Sequence, residues 1–519
     1  MRRALVILAA AIAAAGCSSV RQEVPRTPSH AIDRPGETFL GQSIAARLAP
    51  RPGESGFRLL ASGHEAFLAR AALAESAERS LDLQYYIVAE DATATLLLYR
   101  ALRAAQRGVR VRLLLDDIYA AGRDFDLAAL DAHPNVEVRV FNPFSRRGPL
   151  GISQLFEYLG DRDRLDRRMH NKLWIADNAA AVVGGRNLGD AYFEAQNEED
   201  FADLDVLAGG PVVAEISRSF DAYWNSEWAV PIAAFLDQPP EKGRLDLILS
   251  EMAARAERFR DTDYARLLRE TEFGRSVRFG ELPLAAGRAA ALYDEPAKLR
   301  GEAVEGEGGI LPTLRGIIEG AQREVILISP YFIPSARGLE VLGSLAQRGV
   351  RVRVLTNSLA STDPVPLAHA GYARYRGRLL ARGVELHERR PGAARLRNAR
   401  PGLSSGATLH AKAVVVDRKL LLVGSMNLDP RSRLSNTEVA VLVESEALAA
   451  ELATLFDEAS SLEQAFHVEL AERANENAPL VWLGRERGEQ VRYEDEPLTG
   501  WWRRMLSRLL GALAPEELL

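Results

Sequence analysis

The sequence holds few of the residues that build covalent cross-links and metal sites. Its 519 residues include a single cysteine, Cys17. A chain with one cysteine forms no internal disulfide and no site with several thiolate ligands. The sequence also contains no H-E-x-x-H pattern and no calcium-binding loop pattern. We therefore expect chemistry without a metal and without another cofactor.

Lysine is scarce, and so is an excess of positive charge. The chain has 5 lysines against 60 arginines, and its formal net charge is −6. A slightly acidic balance does not favour wholesale binding to nucleic acid. We expect no nucleic-acid partner, and the few lysines become candidates for a specific role.

The hydrophobic run at the N-terminus is short. Two arginines precede an apolar stretch from Ala4 to Ala15, and Cys17 follows. The stretch is shorter than the roughly twenty residues that cross a bilayer. The segment resembles the leader of bacterial lipoproteins, whose cysteine is lipidated and becomes the new N-terminus. Residues 1–17 are therefore predicted to be a lipoprotein-type signal peptide, and an ordinary cleaved signal with a chance cysteine is the alternative.

The sequence after this leader has no apolar run long enough to span a membrane. Residues 18–55 are rich in Pro, Arg, Ser and Gly, and they are predicted to be a flexible spacer. Ser18, directly after the cysteine, favours the outer membrane by analogy with lipoprotein sorting in Gram-negative bacteria. We expect an exported, membrane-anchored lipoprotein that faces the periplasm.

The body of the chain is an internal duplication. The hexapeptide Arg107–Arg112 recurs unchanged as Arg348–Arg353. Nearly the same displacement relates further pairs of polar residues and glycines, namely His170 and His410, Lys172 and Lys412, Asp177 and Asp417, Gly184 and Gly424, Asn187 and Asn427, Asn197 and Asn436, and Glu199 and Glu438. Two copies of one domain are the simplest explanation.

Each copy has the alternating pattern of an α/β fold. A helix-like stretch precedes a β-rich run, and a further short strand and two paired strands follow it. Short apolar runs separated by helices favour a mixed β-sheet with helices on its faces. The predicted divisions are a first lobe, an inter-lobe connection with some helix, a second lobe and a C-terminal extension, at residues 56–235, 236–300, 301–466 and 467–519.

The pattern H-x-K-x4-D occurs once in each copy, on a predicted strand and the turn after it. Its residues are His170, Lys172 and Asp177 in the first copy and His410, Lys412 and Asp417 in the second. Because residues i and i+2 of a strand project from one face, each histidine and its lysine point into the same space. The aspartate at the turn has two interpretations, turn formation or a direct electrostatic role, and the sequence leaves both open.

Two histidines and two lysines at one site suffice for chemistry on a phosphodiester. Neutral imidazole is a nucleophile and imidazolium an acid near neutral pH. One histidine attacks phosphorus while the other protonates the departing alcohol, and the second then activates an incoming alcohol or water. The lysines, with Asn187 and Asn427, stabilise charge on the non-bridging oxygens.

These residues closely resemble the phospholipase D superfamily, whose members use two H-x-K-x4-D motifs to form a phosphohistidine intermediate. The resemblance covers most of residues 56–466 and implies two tandem lobes, with the active site between them and both halves supplied by a single chain. It implies catalytic roles for the six motif residues, with His170 attacking first, and phosphate-binding or supporting roles for Asn187 and Asn427. It also implies that Glu199 and Glu438 each hold the histidine of the opposite lobe. The oligomeric state stays open.

Three further segments point to a lipid substrate within that superfamily. Ser329–Pro334, His369–Tyr375 and Arg382–His387 look like segments of bacterial cardiolipin synthases of the C type. This implies transfer of a phosphatidyl group to phosphatidylglycerol, with phosphatidylethanolamine as a further candidate membrane phospholipid. The alternatives are a periplasmic phospholipase D that hydrolyses lipid to phosphatidate, and an anchored lipid- or protein-binding module.

The C-terminal extension contains a predicted amphipathic helix. Its apolar stripe comprises Trp502, Leu506, Leu509 and Leu513, and its arginines lie largely away from this stripe. The pattern has two interpretations. The helix lies in a lipid interface, or it caps the second lobe through its tryptophans.

Overall fold

The computed structural model describes residues 24–145, 157–158, 160–195, 200–278, 283–301, 309–362, 366–392, 408–472 and 475–513. Cys17, the predicted leader and Glu199 lie outside these residues. The described chain is an α/β fold whose strands join into one sheet of 18 strands, with a separate pair of two-residue strands. Within the described residues, no helix combines the length and the apolar character needed to cross a bilayer.

The first lobe contributes a mixed sheet whose three central strands run parallel. From edge to edge, its strands are Ala229–Pro231, Val136–Phe141, Arg110–Asp116, Ser80–Tyr85, Leu173–Ala176, Ala180–Gly184, Asp205–Gly209 and Ser55–Leu60. One core cluster on this sheet is formed with the helices Gly63–Ser76, Ala92–Gln106 and Asp124–Asp131. The helix Val212–Trp224 belongs to a second cluster.

The second lobe repeats this arrangement. From edge to edge, its strands are Val439–Glu444, Leu420–Gly424, Ala413–Val416, Glu324–Ile328, Arg351–Asn357, Glu385–Arg389, Ala465–Leu470, Leu480–Glu486 and Glu489–Tyr493. Its own core cluster includes residues of the helices Ile310–Glu319, Ser335–Gln347, Leu367–Ala373 and Arg376–Ala381. The predicted order of helices and strands is confirmed.

A shared core joins the two lobes. One cluster of buried side chains contains Val206 of the first sheet, Val441 of the second, and residues of the two helices Val212–Trp224 and Glu446–Ala459. Continuous burial of apolar side chains across the junction stabilises one lobe against the other. The prediction of two tandem lobes, each a mixed sheet flanked by helices, is confirmed.

Residues 18–55 are not a flexible spacer in their described part. The Arg112 guanidinium of the first lobe donates to the Ser29 carbonyl at 2.9 Å. The helix Phe39–Leu48 follows, and its Ile44 packs against the core of the first lobe. The high content of Pro, Arg and Ser suggested a linker, but these contacts anchor the segment to the lobe.

The predicted inter-lobe connection, residues 236–300, also needs correction. It begins with three helices, Arg244–Arg260, Asp263–Glu270 and Glu272–Arg278. The strand Ala285–Tyr293 then pairs with Val439–Glu444 of the second sheet and with the start of Ser55–Leu60 of the first. This strand links the two sheets and is the counterpart of Ser55–Leu60 in the duplication. Its many alanines have low strand propensity, which hid it in the sequence.

The second sheet continues past the predicted end of the second lobe at residue 466. Strands Leu480–Glu486 and Glu489–Tyr493 add to its edge beyond Ala465–Leu470. The C-terminal extension is therefore a part of the second sheet followed by the predicted helix, Trp501–Leu513.

Candidate active site

The two histidine–lysine pairs lie at the same edge of their sheets. His170 and Lys172 directly precede the strand Leu173–Ala176, which runs antiparallel to Ser80–Tyr85 and begins where that strand ends. His410 and Lys412 precede Ala413–Val416 in the same way, beside the end of Glu324–Ile328. All four side chains therefore lie at the carboxyl ends of the central parallel strands.

Each histidine is positioned by the backbone of the opposite lobe. The His170 amide donates to the Thr437 carbonyl at 2.9 Å. The His410 amide donates to the Ala202 carbonyl at 2.8 Å, next to a two-residue parallel ladder between Phe201–Ala202 and Thr408–Leu409. The motif of each lobe is thus held across the junction, which places the site between the lobes.

A buried carboxylate from the opposite lobe faces each imidazole. His170 Nδ1 lies 2.9 Å from Glu438 Oε2, and His410 Nδ1 lies 2.6 Å from Asp203 Oδ2. Both carboxylates are fully buried. A carboxylate at Nδ1 favours the tautomer with its proton there, which leaves the lone pair of Nε2 available for chemistry.

The two lysines bring positive charge to this site between the lobes, which we call the cleft. Lys172 Nζ donates to the His170 carbonyl at 2.6 Å, and Lys412 Nζ donates to the His410 carbonyl. Burial lowers the pKa of Lys172 well below its usual value; Glu438 opposes this shift, and the charge of Lys412 adds to it. Two ammonium groups that repel each other at a buried site favour the binding of an anion between them.

Burial and the two lysine charges disfavour the protonated form of both imidazoles in the free protein. Burial lowers the pKa of His170 well below its usual value, and the charges of Lys172 and Lys412 lower it further. Burial, followed by the Lys412 charge, lowers the pKa of His410 to about 4, and Asp203 opposes this shift. A neutral imidazole is the form that attacks phosphorus.

Aromatic rings limit the access of solvent to the histidines. The Tyr86 ring lies edge-on to His170 with centroids 5.2 Å apart. Tyr192 and Phe201 lie 5.4 and 5.1 Å from the His410 ring. The imidazoles keep only about a tenth of their side-chain surface exposed, at 11% for His170 and 13% for His410. These rings and the surrounding fold leave only a small part of each imidazole open to a reactant.

Comparison with known proteins agrees with this arrangement. The profile of a family described as "Cardiolipin synthase, PLD-like domain" matches residues 71–224 and 314–460, once in each lobe. The chain belongs to the phospholipase D superfamily. Cardiolipin synthase C of Escherichia coli K12 is 40% identical over 493 residues, which cover 92% of this chain and 99% of that protein.

Two further proteins are similar over most of this chain. A protein of Helicobacter pylori J99, described as uncharacterized, is 31% identical over 507 residues, or 97% of each chain. The crystal structure of phosphatidylserine synthase from Haemophilus influenzae Rd KW20 matches 92% of this chain and 100% of that one with a TM-score of 0.56. At 13% identity, this last likeness supports the fold alone.

The sequence-based prediction placed one functional position of the phospholipase D pattern on the wrong residue. The prediction named Glu199 as the acid that holds His410, but the structure places Asp203 there. In the strand pairing of the first lobe Gly184 lies opposite Asp205, and in that of the second lobe Gly424 lies opposite Ala440. Asp203 and Glu438 each lie two residues before these partners, so Asp203 is the counterpart of Glu438. The first lobe has a longer loop before this strand. Aligning the apolar strands that follow, instead of the acidic residues, would have identified Asp203.

The two asparagines of the phospholipase D pattern differ in their contacts. Asn187 Oδ1 accepts the Ile87 amide at 3.1 Å, and its Nδ2 donates to the Tyr192 hydroxyl at 2.9 Å. Asn427 Oδ1 is buried and finds no hydrogen-bond partner among the described residues. The side chain of Asn187 is therefore engaged by the fold, and the role of Asn427 in binding phosphate stays a prediction.

Asp177 and Asp417 do not lie with the histidines. Each follows the far end of the strand that its lysine precedes, which separates the carboxylate from the lysine by about 13 Å or more. Both adopt a positive φ, 53° in each case, as the first residue of a tight turn. The predicted catalytic role of these aspartates is therefore corrected, and the turn interpretation agrees with the structure.

The Asp177 carboxylate instead ties the turn to the start of the neighbouring strand. It accepts the backbone amides of Glu78, Arg79 and Ser80 at 2.8 to 2.9 Å. Asp417 makes the same set of contacts in the second lobe, to residues 322 to 324. Asp177 is fully buried, and Asp417 is only partly buried.

We expect Asp177→Ala to lower the free energy of unfolding by about 2–4 kcal/mol, because it leaves the buried Ser80 amide and two partly buried amides without an acceptor. Asp417→Ala should cost only about 1–2 kcal/mol, since water reaches its partly exposed amides. Urea unfolding measures both values. Turnover per folded molecule should stay within a few-fold of wild type. A stable Asp177→Ala protein without turnover would restore the direct electrostatic role.

The two carboxylates should respond to pH in opposite ways. Burial raises the pKa of Glu438 to about 7 from its usual 4.5, although Lys172 opposes the shift. Asp203 is also buried, but its contact with His410 and the charges of Lys412 and Arg186 hold its pKa well below the usual range. Glu438 therefore costs stability progressively as pH rises from about 4.5 to about 7, whereas Asp203 contributes stability at neutral pH.

Glu438→Gln should raise the free energy of unfolding at pH 8 by up to roughly 3 kcal/mol, and the gain should vanish near pH 4.5. Asp203→Asn is the matched variant and should lower stability at pH 8 by about 1–3 kcal/mol. Denaturant unfolding across pH 4.5–8 measures both curves. Loss of stability in Glu438→Gln at pH 8 would contradict the assignment of a strained, buried carboxylate.

Proposed function

We propose that the chain is a phosphatidyltransferase of the phospholipase D type that acts on membrane phospholipids through a phosphohistidine. One observation carries the proposal. His170 and His410 come from different lobes, and each faces a fully buried carboxylate of the opposite lobe in a cleft that also holds two lysines. This set supplies a nucleophile, an acid and cationic charge within one chain.

The unequal carboxylates suggest which histidine attacks. The low pKa of Asp203 keeps this residue ionised, so it stabilises an imidazolium at His410. Glu438 has a pKa of about 7 and stabilises a cation at His170 less. We therefore assign His170 as the nucleophile and His410 as the acid and base, which agrees with the resemblance.

The proposed reaction has two displacements. The His170 Nε2 lone pair attacks phosphorus, the bond from phosphorus to the leaving oxygen breaks, and protonated His410 gives its proton to that oxygen. His410, now neutral, takes the proton of the acceptor hydroxyl. The acceptor oxygen attacks phosphorus, and the phosphorus–nitrogen bond breaks. Lys172 and Lys412 stabilise the negative charge on the non-bridging oxygens.

The proposed donor and acceptor are phosphatidylglycerol, with phosphatidylethanolamine as a second candidate donor. Support comes from the 40% identity to a protein named cardiolipin synthase C, which extends over 92% of this chain. Cardiolipin carries two phosphatidyl groups on one glycerol, so its synthesis from phosphatidylglycerol is a transfer to an alcohol. Partial exclusion of water and a bound acceptor favour transfer over hydrolysis.

Lipid mass spectrometry tests this proposal. Purified protein with phosphatidylglycerol vesicles should form cardiolipin and release glycerol, and added ethylenediaminetetraacetate should not change the rate on a soluble phosphodiester. The His170→Ala protein is the matched control. Phosphatidate as the sole product at every acceptor concentration would identify a hydrolase. Lipid binding without turnover would identify a binding module.

We further propose that Cys17 is the site of lipidation and tethers the protein to a membrane, facing the periplasm. The support is the leader pattern alone, since the first 23 residues are outside the described part of the chain. Intact-mass spectrometry of wild type should show a lipidated N-terminal cysteine, and Cys17→Ala should lack the modification. An unmodified Cys17 in the mature protein would refute the proposal.

A further inference from the structure

The C-terminal helix Trp501–Leu513 presents an apolar face to solvent. Six large apolar side chains in and before this helix are 42% to 73% exposed, namely Leu498, Trp501, Trp502, Met505, Leu509 and Leu513. At 100° per residue, the five positions within the helix fall on one side of it. The tryptophans do not cap the second lobe, which removes one of the two interpretations of the sequence.

The opposite face of this helix is fixed to the second lobe. The Arg503 guanidinium donates to the carbonyls of Leu359 and Thr362 at 2.8 Å each. Arg374 donates to the Gly511 carbonyl at 2.7 Å. These contacts hold the helix at both ends, so its apolar face points outward in the folded protein.

The helix lies at the same end of the molecule as the catalytic cleft. Asn357 ends a central parallel strand, and its side-chain amide pairs with both backbone groups of Leu409, next to His410. The loop that follows Asn357 provides the two carbonyls, Leu359 and Thr362, that bind the helix. The exposed tryptophans and the active site therefore share one edge of the second sheet.

The first lobe has exposed apolar side chains at the corresponding edge. Ile118 and Phe125 follow the strand Arg110–Asp116 and are 42% and 68% exposed. In the second lobe, Leu434 ends the short helix Pro430–Leu434 and is 45% exposed. Exposed apolar groups thus follow strands of both lobes, as is expected of a surface that meets a bilayer.

The charge of the helix fits an anionic lipid surface. Residues 501–513 contain three arginines and no acidic residue. The Arg508 side chain is 75% exposed at the border of the apolar face, and it shares one acidic partner, Asp495, with Arg504. Tryptophan and arginine favour the boundary between head groups and acyl chains. The occupant of this face is therefore a bilayer that contains anionic phospholipid.

We infer that the face defined by Leu498, Trp501, Trp502, Met505, Leu509 and Leu513 inserts into the membrane interface and presents the catalytic cleft to lipid. The inference rests on the proposed function for the choice of lipid. The docking itself is measured without turnover, so the two proposals fail separately.

Tryptophan fluorescence tests the docking in the full chain. Among the six tryptophans, Trp501 and Trp502 are 67% and 59% exposed, and the other four are buried or partly buried. Vesicles of phosphatidylglycerol and acyl-brominated phosphatidylcholine should quench the emission of wild type. Quenching should disappear in Trp501→Ser/Trp502→Ser. Phe39→Ser, an exposed aromatic that lies beside Glu78 at the opposite end of the sheet, should leave it unchanged.

Turnover gives an independent readout. The double tryptophan variant should lose roughly tenfold or more of its rate on vesicles and keep its rate on a soluble short-chain phosphodiester. Unchanged quenching in the double variant, or vesicle binding by wild type without quenching, would overturn the inference. The inference would also be overturned if wild type formed a dimer without lipid and the double variant did not. That result would assign the face to a second copy of the chain.

Discussion

His170→Ala and His410→Ala should each lower turnover by roughly 10⁴-fold or more, and the double variant should be little worse than either. Each displacement requires both imidazoles, one bonded to phosphorus or attacking it and the other moving the proton. Because they act as a unit, the loss of one removes the covalent route. Steady-state rates on phosphatidylglycerol and on a soluble phosphodiester measure the effect.

A substrate with an activated leaving group separates the two roles. A nitrophenyl ester needs no acid for departure, so His410→Ala should give a burst of nitrophenol equal to the enzyme concentration. His170→Ala should give no burst. His30→Ala, which removes an imidazole that is 73% exposed, is the matched control and should behave as wild type. A burst from His170→Ala alone would reverse the assignment of nucleophile and acid.

Lys172→Met and Lys412→Met should each lower turnover by about 10²–10³-fold, since each removes a cation that stabilises charge in the transition state. Replacing a structural lysine would lower the free energy of unfolding, but replacing Lys172 should not. Burial lowers the pKa of Lys172, so its burial costs folding free energy at neutral pH. Methionine should therefore leave the fold at least as stable.

Lys419→Met provides the matched control for both variants. Lys419 is exposed on the turn after Asp417, in the same lobe as Lys412. Its replacement should change neither turnover nor stability measurably. If Lys172→Met lost stability in proportion to activity, the lysine would be structural, and the proposed charge stabilisation would need another source.

Much of the site follows from the sequence because the duplication repeats its chemistry. The spacing of His170 and Lys172, seen again at His410 and Lys412, predicted that these residues act together. The alternation of side chains along a strand, together with short apolar runs, then predicted the strands beside these residues. Glu438 lies against His170 as the resemblance implied.

Local patterns predicted less where contacts come from distant segments. Asp203 was missed because the loop before it differs in length between the lobes. The strand Ala285–Tyr293 was missed because tertiary pairing with two sheets overrides its low propensity. The outward position of Trp501 depends on the contacts of Arg503 with the second lobe, which no local pattern shows.

The stereochemical course at phosphorus tests the central claim most directly. A phospholipid with a chiral phosphorothioate, transferred to an alcohol by the wild-type chain, should give a product of retained configuration, because two in-line displacements invert the centre twice. Nuclear magnetic resonance of the product distinguishes the two outcomes. Retention is the predicted result, and inversion would contradict a phosphohistidine intermediate.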